Sequence, residues 1–542
     1  MTEFFSGNDI SRAVNIDSAG YIIAGKKLSH NGNLTIANNG QFVQIDETNT
    51  NDGTYTGTKF QVNRTAQVKH YDYVDWGSPV KDFPVASLPN TNRYEWSTLQ
   101  ANANGTTGNW VTPTTPTMTT GKGYIARASN GASTAQAMNL VFQGEPNNGQ
   151  FTFAINRGTY TGSDYYADPV NAPTTITTKR DDNWNLLGNP YPSAIDAEKF
   201  LVLNQTKIEG TVWIWKHGLD PTLSGSPFYN NYTYNYSATT DLIKYNGLGS
   251  TEPDTFAGSI ASGQGFIVAM LDSAPQPGST VTFSNDLRRG SLVSASGLFD
   301  NTDFFRLSSN ATVNRPENKS RIWLDVVNQQ GGQKDTALIG YSENSTLGVD
   351  HMYDCVNSIK NELTLYSMID SEAYIIQGRP LPFDQADVVP MGVKIANEGA
   401  HTIAIRKVDG LFESAQQNIY LEDKQLGLIH DLRQAPYTFT SAAGRFDDRF
   451  VLRYTNEFLS NPVFESNQNV VVLAKKDFIE IHSYNQNLQQ VQVYDVLGRN
   501  VFESKNLDQV SLNINGINPF NQVLMVQVKL KDGSVVTQKI IY

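Results

Sequence analysis

Residue types that do chemistry are present in this chain, but their spacing is wrong for most of it. The seven histidines, His30, His70, His217, His351, His401, His430 and His482, are scattered. None forms the His-x-x-x-His or Cys-x-x-Cys pairs that bring two ligands onto one metal. Cys355 is the single cysteine, so no intramolecular disulfide forms, and without a neighbouring histidine motif it reads as a small buried hydrophobe. Gly121-Lys122-Gly123 lacks the further glycine and helix of a phosphate loop and reads as the entry to a strand. No Gly-x-Ser-x-Gly elbow occurs. The acid pairs Asp181-Asp182 and Asp447-Asp448 have the oxygen donors calcium takes, but not the repeated Asp-x-Asp of a dedicated loop, so turn acids in solvent are the simpler reading. A glycosidase needs two carboxylates facing across a cleft, and no local pattern supplies them. The expectation is a chain without catalytic residues, metal or cofactor: not an enzyme.

Binding chemistry is better represented. In the run Phe228 to Tyr236, the rings of Tyr229, Tyr232, Tyr234 and Tyr236 alternate with asparagines. Aromatic faces and amides suit the stacking and hydrogen bonding of sugar rings, which makes surface glycans a candidate partner. The competing reading is a hairpin whose tyrosines pair across strands.

The elements that would carry these residues are β-strands. Charged residues make up 17% of the 542 residues and aromatics 11%, with 42 glycines, a balance that favours strands and turns over helices. The length calls for several domains. A formal net charge of −12 without a basic cluster repels phosphate backbones and excludes nucleic acid as a partner. No apolar run approaches the ~20 residues that span a bilayer. Met1 to Asp9 has neither the basic nor the apolar region of a signal peptide.

Five regions follow along the chain. Residues 1–65 carry very short strands with Asn31-Gly32 and Asn39-Gly40 turns, the pattern of a β-solenoid-like cap, whose earlier coils would lie upstream of Met1. Residues 66–295 repeat one motif order. The first copy holds Trp76-Gly77-Ser78-Pro79, Trp96, Trp110, Gly121-Lys122-Gly123-Tyr124 and Val141-Phe142. The second holds Leu187-Gly188-Asn189-Pro190, Trp213, Trp215, Gly263-Gln264-Gly265-Phe266 and Val281-Thr282-Phe283. Two related β units are the reading, with one short helix near Ala197–Leu201, capped by Ser193 and with Asp196 near its positive end. Residues 296–454 alternate clearly, as in Ile322, Leu324 and Val326, and make a β-sandwich of jelly-roll size. Residues 455–469 are a polar linker. Residues 470–542 hold about seven short strands, the size of an Ig-like sandwich. The fold class is all-β and multidomain.

In that last region, Val491-Gln492-Val493-Tyr494-Asp495-Val496-Leu497-Gly498-Arg499, then Met525-Val526-Gln527-Val528, Asp532-Gly533-Ser534 and Lys539-Ile540-Ile541, resemble the type A C-terminal sorting domain of Bacteroidetes type IX secretion cargo. Gln522-Val523-Leu524 stands where that family usually has Gly-x-Tyr. Trp184 to Ser193 is similar to a phrase common in large surface proteins with this signal, and Tyr420 to Lys424 with Arg449 to Leu452 is similar to another of their modules. The resemblance implies export through the periplasm by an outer-membrane translocon and its shuttle barrel, processing by a sortase, and a secreted or cell-surface, adhesin-like role. It carries the sorting function to Tyr494, Asp495, Gly498, Arg499, Val526, Val528, Gly533 and Lys539. The alternative is a carbohydrate-binding, non-catalytic region of a larger secreted enzyme.

Overall fold

The computed structural model describes every residue except 1, 5–7, 11–12, 19, 25–27, 31, 46–58, 69–71, 101–107, 129–134, 160–181, 217–241, 289–300, 302–318, 330–331, 333, 358–362, 457–469, 476–477, 484–485 and 519–521. The fold is almost entirely β. It divides into two compact units, Met1–Asn456 and Glu457–Tyr542.

The first unit begins with short parallel strands stacked at a fixed interval. Thr2 pairs with Ile22 and Tyr21 with Gln41; Asn8 pairs with Leu28, and Val14 with Leu34. Each step is 20 residues, which is one solenoid coil. Asn39 adopts φ 68° ahead of Gly40, the left-handed turn that Asn tolerates better than most residues. The last coil runs into the strand Phe60–Val68, which pairs in parallel with Leu34–Ile36 on one side and antiparallel with Gln136–Gln143 on the other. A boundary at 65 therefore falls inside a strand. Cap and first repeat share one core, with Leu34, Phe42, Phe60, Trp76 and Phe142 buried together.

The two repeats have the same topology. In the first, the sheet order is Asn109–Val111, Arg93–Ser97, Tyr124–Arg127, Tyr73–Trp76. In the second it is Leu242–Asn246, Thr211–Trp215, Gly265–Ala269, Trp184–Gly188, with Gly249–Ser250 added at the edge. Each has a companion pair, Phe60–Val68 with Gln136–Gln143 and Phe151–Ala154 with Thr280–Phe283. The strand Phe60–Val68 is thus the opening strand of the first repeat as well as the last rung of the cap. The helix Ala197–Asn204 covers the second core with Phe200 and Leu201. Its cap differs from expectation. Asp196 accepts the backbone N–H groups of Glu198 and Lys199 at 2.8 and 3.3 Å. The hydroxyl of Ser193 instead accepts from buried Arg288 at 2.9 Å. The carboxylate wins because it adds charge to the orphan N–H groups.

Residues 320–453 form one continuous sheet of eleven strands. Its end strands, Leu428–Asp431 and Tyr437–Ser441, are neighbours in the chain, and the sheet wraps nearly closed around a single core. Register shifts at Trp323/Leu324 and Met391/Val393 supply the bends that long strands need to curl. Ile322, Leu324 and Val326 face that core, while Trp323 packs on the outside against Leu248 of the second repeat.

The second unit stacks the sheet Val470–Ala474, Ile479–Ser483, Ser511–Ile514 on the sheet Asn500–Gln509, Leu488–Asp495, Val523–Leu530, Val535–Ile541. It has its own core, including Val472, Ile481, Val491, Val493, Val526, Val528 and Ile540. The Gln538 amide ties the two sheets along one side, accepting from Val472 N–H at 3.0 Å and donating to the Val470 carbonyl at 2.9 Å.

Candidate functional site

Four of the sorting-motif residues, Tyr494, Asp495, Gly498 and Arg499, lie on the hairpin that joins Leu488–Asp495 to Asn500–Gln509, while Gly533 turns at the opposite end of the same sheet. Alternating valines set the local geometry: Val491 and Val493 point into the core opposite Val528 and Val526. Two residues on, Asp495 ends the strand opposite Leu524 and organises the turn. Its carboxylate accepts from Leu497 N–H at 2.9 Å, Arg499 N–H at 3.0 Å and Arg499 Nε at 2.6 Å. Its carbonyl accepts from Gly498 N–H at 2.9 Å. The backbone N–H of Arg499 is the largest influence holding this carboxyl below its ordinary range. Gly498 has φ 76°, which a side chain would strain, and open space where a Cβ would stand. The consequence is a rigid knob: Val496 and Leu497 are 71% and 75% exposed. The resemblance does not single those two residues out as site residues. The Asp-x-x-Gly spacing was the signal that they stand in the turn.

The other motif residues do different work. Tyr494 is half-buried opposite Met525 and Asn500. Gly533, at φ 89°, makes the next turn with Asp532, whose carboxylate accepts from Ser534 N–H at 2.9 Å and Oγ at 2.6 Å. Lys539 is exposed and pairs with Met525. Val526 and Val528 are core. Tyr229, Tyr232, Tyr234 and Tyr236 lie outside the described residues.

A second constellation lies between the repeats. Each Gly-x-Gly entry meets the other copy at the end of the strand Tyr73–Trp76 or its equivalent Trp184–Gly188: Gly188 N–H donates to Gly121 O at 3.0 Å, and Gly77 N–H to Gly263 O at 2.9 Å. Trp96 Nε1 donates to Trp184 O, and Trp215 Nε1 to Tyr73 O, both at 2.9 Å. Because Trp96 and Trp215, like Tyr73 and Trp184, hold equivalent positions, the repeats face each other about a pseudo-two-fold axis. Trp96 and Trp215, two of the tryptophans singled out by motif order, are therefore reciprocal clamps between the copies.

The remaining candidates are engaged structurally. Asp447 accepts from Tyr366 Oη at 2.8 Å and Arg445 Nε at 2.7 Å. Asp182 is buried and Asp181 lies outside the described residues. Buried Asp423 pairs with Arg449 at 2.9 Å and accepts from Tyr437 Oη at 2.9 Å. His401 is buried with its ring over Phe439; burial lowers its pKa. Burial pushes the Cys355 thiol up to about 12, leaving it protonated and a poor nucleophile. Among the described residues no three His, Cys, Asp or Glu side chains converge as metal ligands, and no helix is long and apolar enough to cross a membrane.

Residues 11–454 match a family described as a domain of unknown function, DUF8693. The chain belongs to the DUF8693 family. Residues 459–542 match a second domain of unknown function, DUF8694. No curated protein matches the chain. Among solved structures, the 47-kilodalton lipoprotein Tp47 of Treponema pallidum is 11% identical, over 41% of this chain and 86% of that one, at a TM-score of 0.13. Latent PorU from Porphyromonas gingivalis is 11% identical over 62% and 30%, with TM-score 0.13. The BSP domain of a biofilm-associated protein is 9% identical over 88% and 95%, also at 0.13. Likenesses of that size carry no argument here.

Proposed function

We propose that this chain is a secreted or cell-surface protein, structural or adhesin-like and non-catalytic, exported by a type IX secretion system with residues 470–542 as the address. The outer-membrane translocon and its shuttle barrel would read that address and a sortase would process it. The motif resemblance supplies the route. The observation that carries the reading is the knob at Val496 and Leu497: two large apolar side chains held in solvent by a turn that Asp495 fixes with three hydrogen bonds. Exposing such a pair is unfavourable unless something covers it. A preformed turn loses little conformational entropy when it is bound, so it suits recognition by shape.

Deleting residues 470–542 is expected to strand the rest of the chain in the periplasm of a type IX-secreting host, measured by fractionation and surface labelling. Undiminished surface delivery of the truncated chain would sink the proposal. Changing Val496→Asp together with Leu497→Asp, both in solvent, is expected to block delivery while leaving the circular dichroism spectrum of the full chain unchanged.

A further inference from the structure

The register of the two repeats equates Asp75 with Leu186. Tyr73 pairs with Arg127 and Asp75 with Ile125 in the first copy; Trp184 pairs with Ala269 and Leu186 with Ile267 in the second. Leu186, Ile125 and Tyr73 are buried together between the sheets, with Ile267 against them. Asp75 lies on the same face as Tyr73, 2% exposed, and the backbone of Gly265 from the other copy approaches so closely that a Cβ there would stand 2.7 Å from Asp75 Cβ. Its Oδ1 is buried without a hydrogen-bond partner. A carboxyl thus occupies a position that the sister repeat fills with leucine.

The charged groups around it are committed elsewhere. On the adjacent strand, Arg127 interacts with the Tyr73 hydroxyl. Lys122, just before that strand, pairs with Glu95 at 2.8 Å. Arg93 donates to the carbonyls of Val85 and Leu88 at 2.7 and 3.2 Å. On its own segment, Asp72 and Tyr73 are the titratable neighbours, and Tyr94 lies beyond them across the sheet. The facing strands Trp184–Gly188 and Gly265–Ala269 contain no titratable residue. Nothing there compensates a negative charge, and an uncompensated buried charge is costly enough that the group holds its proton.

We propose that Asp75 is a proton-operated latch of the repeat junction: as a neutral acid it lets the two sheets close on each other, and its ionisation loosens them. Burial pushes its pKa up to about 7 from an ordinary 3.8. Between those values the folded chain holds a proton that the unfolded chain has released. The stability is fully present below the lower value, is lost as pH rises through the window and changes no further above it. Three pH units at up to tenfold each correspond to a factor of about 10³ in the folding equilibrium.

The test is denaturant unfolding of the full chain from pH 5 to 8.5 as wild type, Asp75→Asn and Asp75→Leu. Other titrating groups are shared by all three, so they cancel in the difference. Relative to either variant, the wild type is expected to lose stability by several-fold to tenfold per pH unit up to about 7 and then run parallel. Wild-type and Asp75→Asn curves that stay parallel throughout would overturn the latch. Hydrogen exchange at the Gly77 and Gly188 amides, which bond across the junction, reads the loosening without depending on a variant that folds poorly. After correction for intrinsic rates, opening should be more frequent at pH 8 than at pH 5.5 in the wild type. Equal protection at both pH values would refute it.

Discussion

Leu187-Gly188 and Leu497-Gly498 are one dipeptide in two settings. At the repeat junction Leu187 is fully buried, and a Cβ on Gly188 would stand 2.5 Å from the Cα of Gly77 and 2.8 Å from the Lys122 carbonyl oxygen. At the terminal knob Leu497 is 75% exposed, and nothing lies within 4 Å of where a Gly498 Cβ would be. The first glycine exists for close approach and the second for its positive φ. The contrast teaches that the first unit spends glycine on fusing two sheets, while the second spends it on holding a short apolar surface in water.

Substitution at these glycines separates the two roles. Gly188→Ala is expected to cost about 3 kcal/mol or more, since backbone on the far side cannot move aside without parting the repeats; a fall of less than 1 kcal/mol in chemical denaturation would break the comparison. The reciprocal clamps come next. Trp215→Phe is expected to cost about 2 kcal/mol, by losing a buried donor and leaving a gap. Trp96→Phe should cost less, because Thr98 Oγ1 also donates to the Trp184 carbonyl, at 2.6 Å. Equal losses would show that the pseudo-symmetry extends to energetics. Smallest is Gly498→Ala, at about 1 kcal/mol of left-handed strain, read as a modest shift in the melting of the terminal unit, with surface delivery largely kept.

Much of the fold was legible because it is local. Alternation located Ile322, Leu324 and Val326 on the core face, and Asn39-Gly40 marked a tight turn between solenoid strands. Motif order exposed the duplication, and the strand orders agree with it. Of the candidate site, Asp495, Gly498 and Gly533 were legible as turn formers, since their chemistry acts within four residues. The exposure of Val496 and Leu497 was not, because it depends on where the core ends. Ser193 was read as the helix cap from spacing, and it was displaced by Asp196 once Arg288, far along the chain, claimed its hydroxyl.

By itself the sequence determined strands, turns, the doubled motif and the resemblance of the terminal segment, all of which follow from side-chain periodicity and backbone preference over a few residues. Tertiary structure alone decided that Phe60–Val68 belongs to cap and repeat together, that the tryptophans of each copy hold the carbonyls of the other, and that Asp75 faces an apolar wall. Those outcomes depend on groups far apart in the chain meeting in space. Whether a carboxyl is solvated or stranded is a property of its neighbours, and the neighbours of Asp75 come from the other repeat.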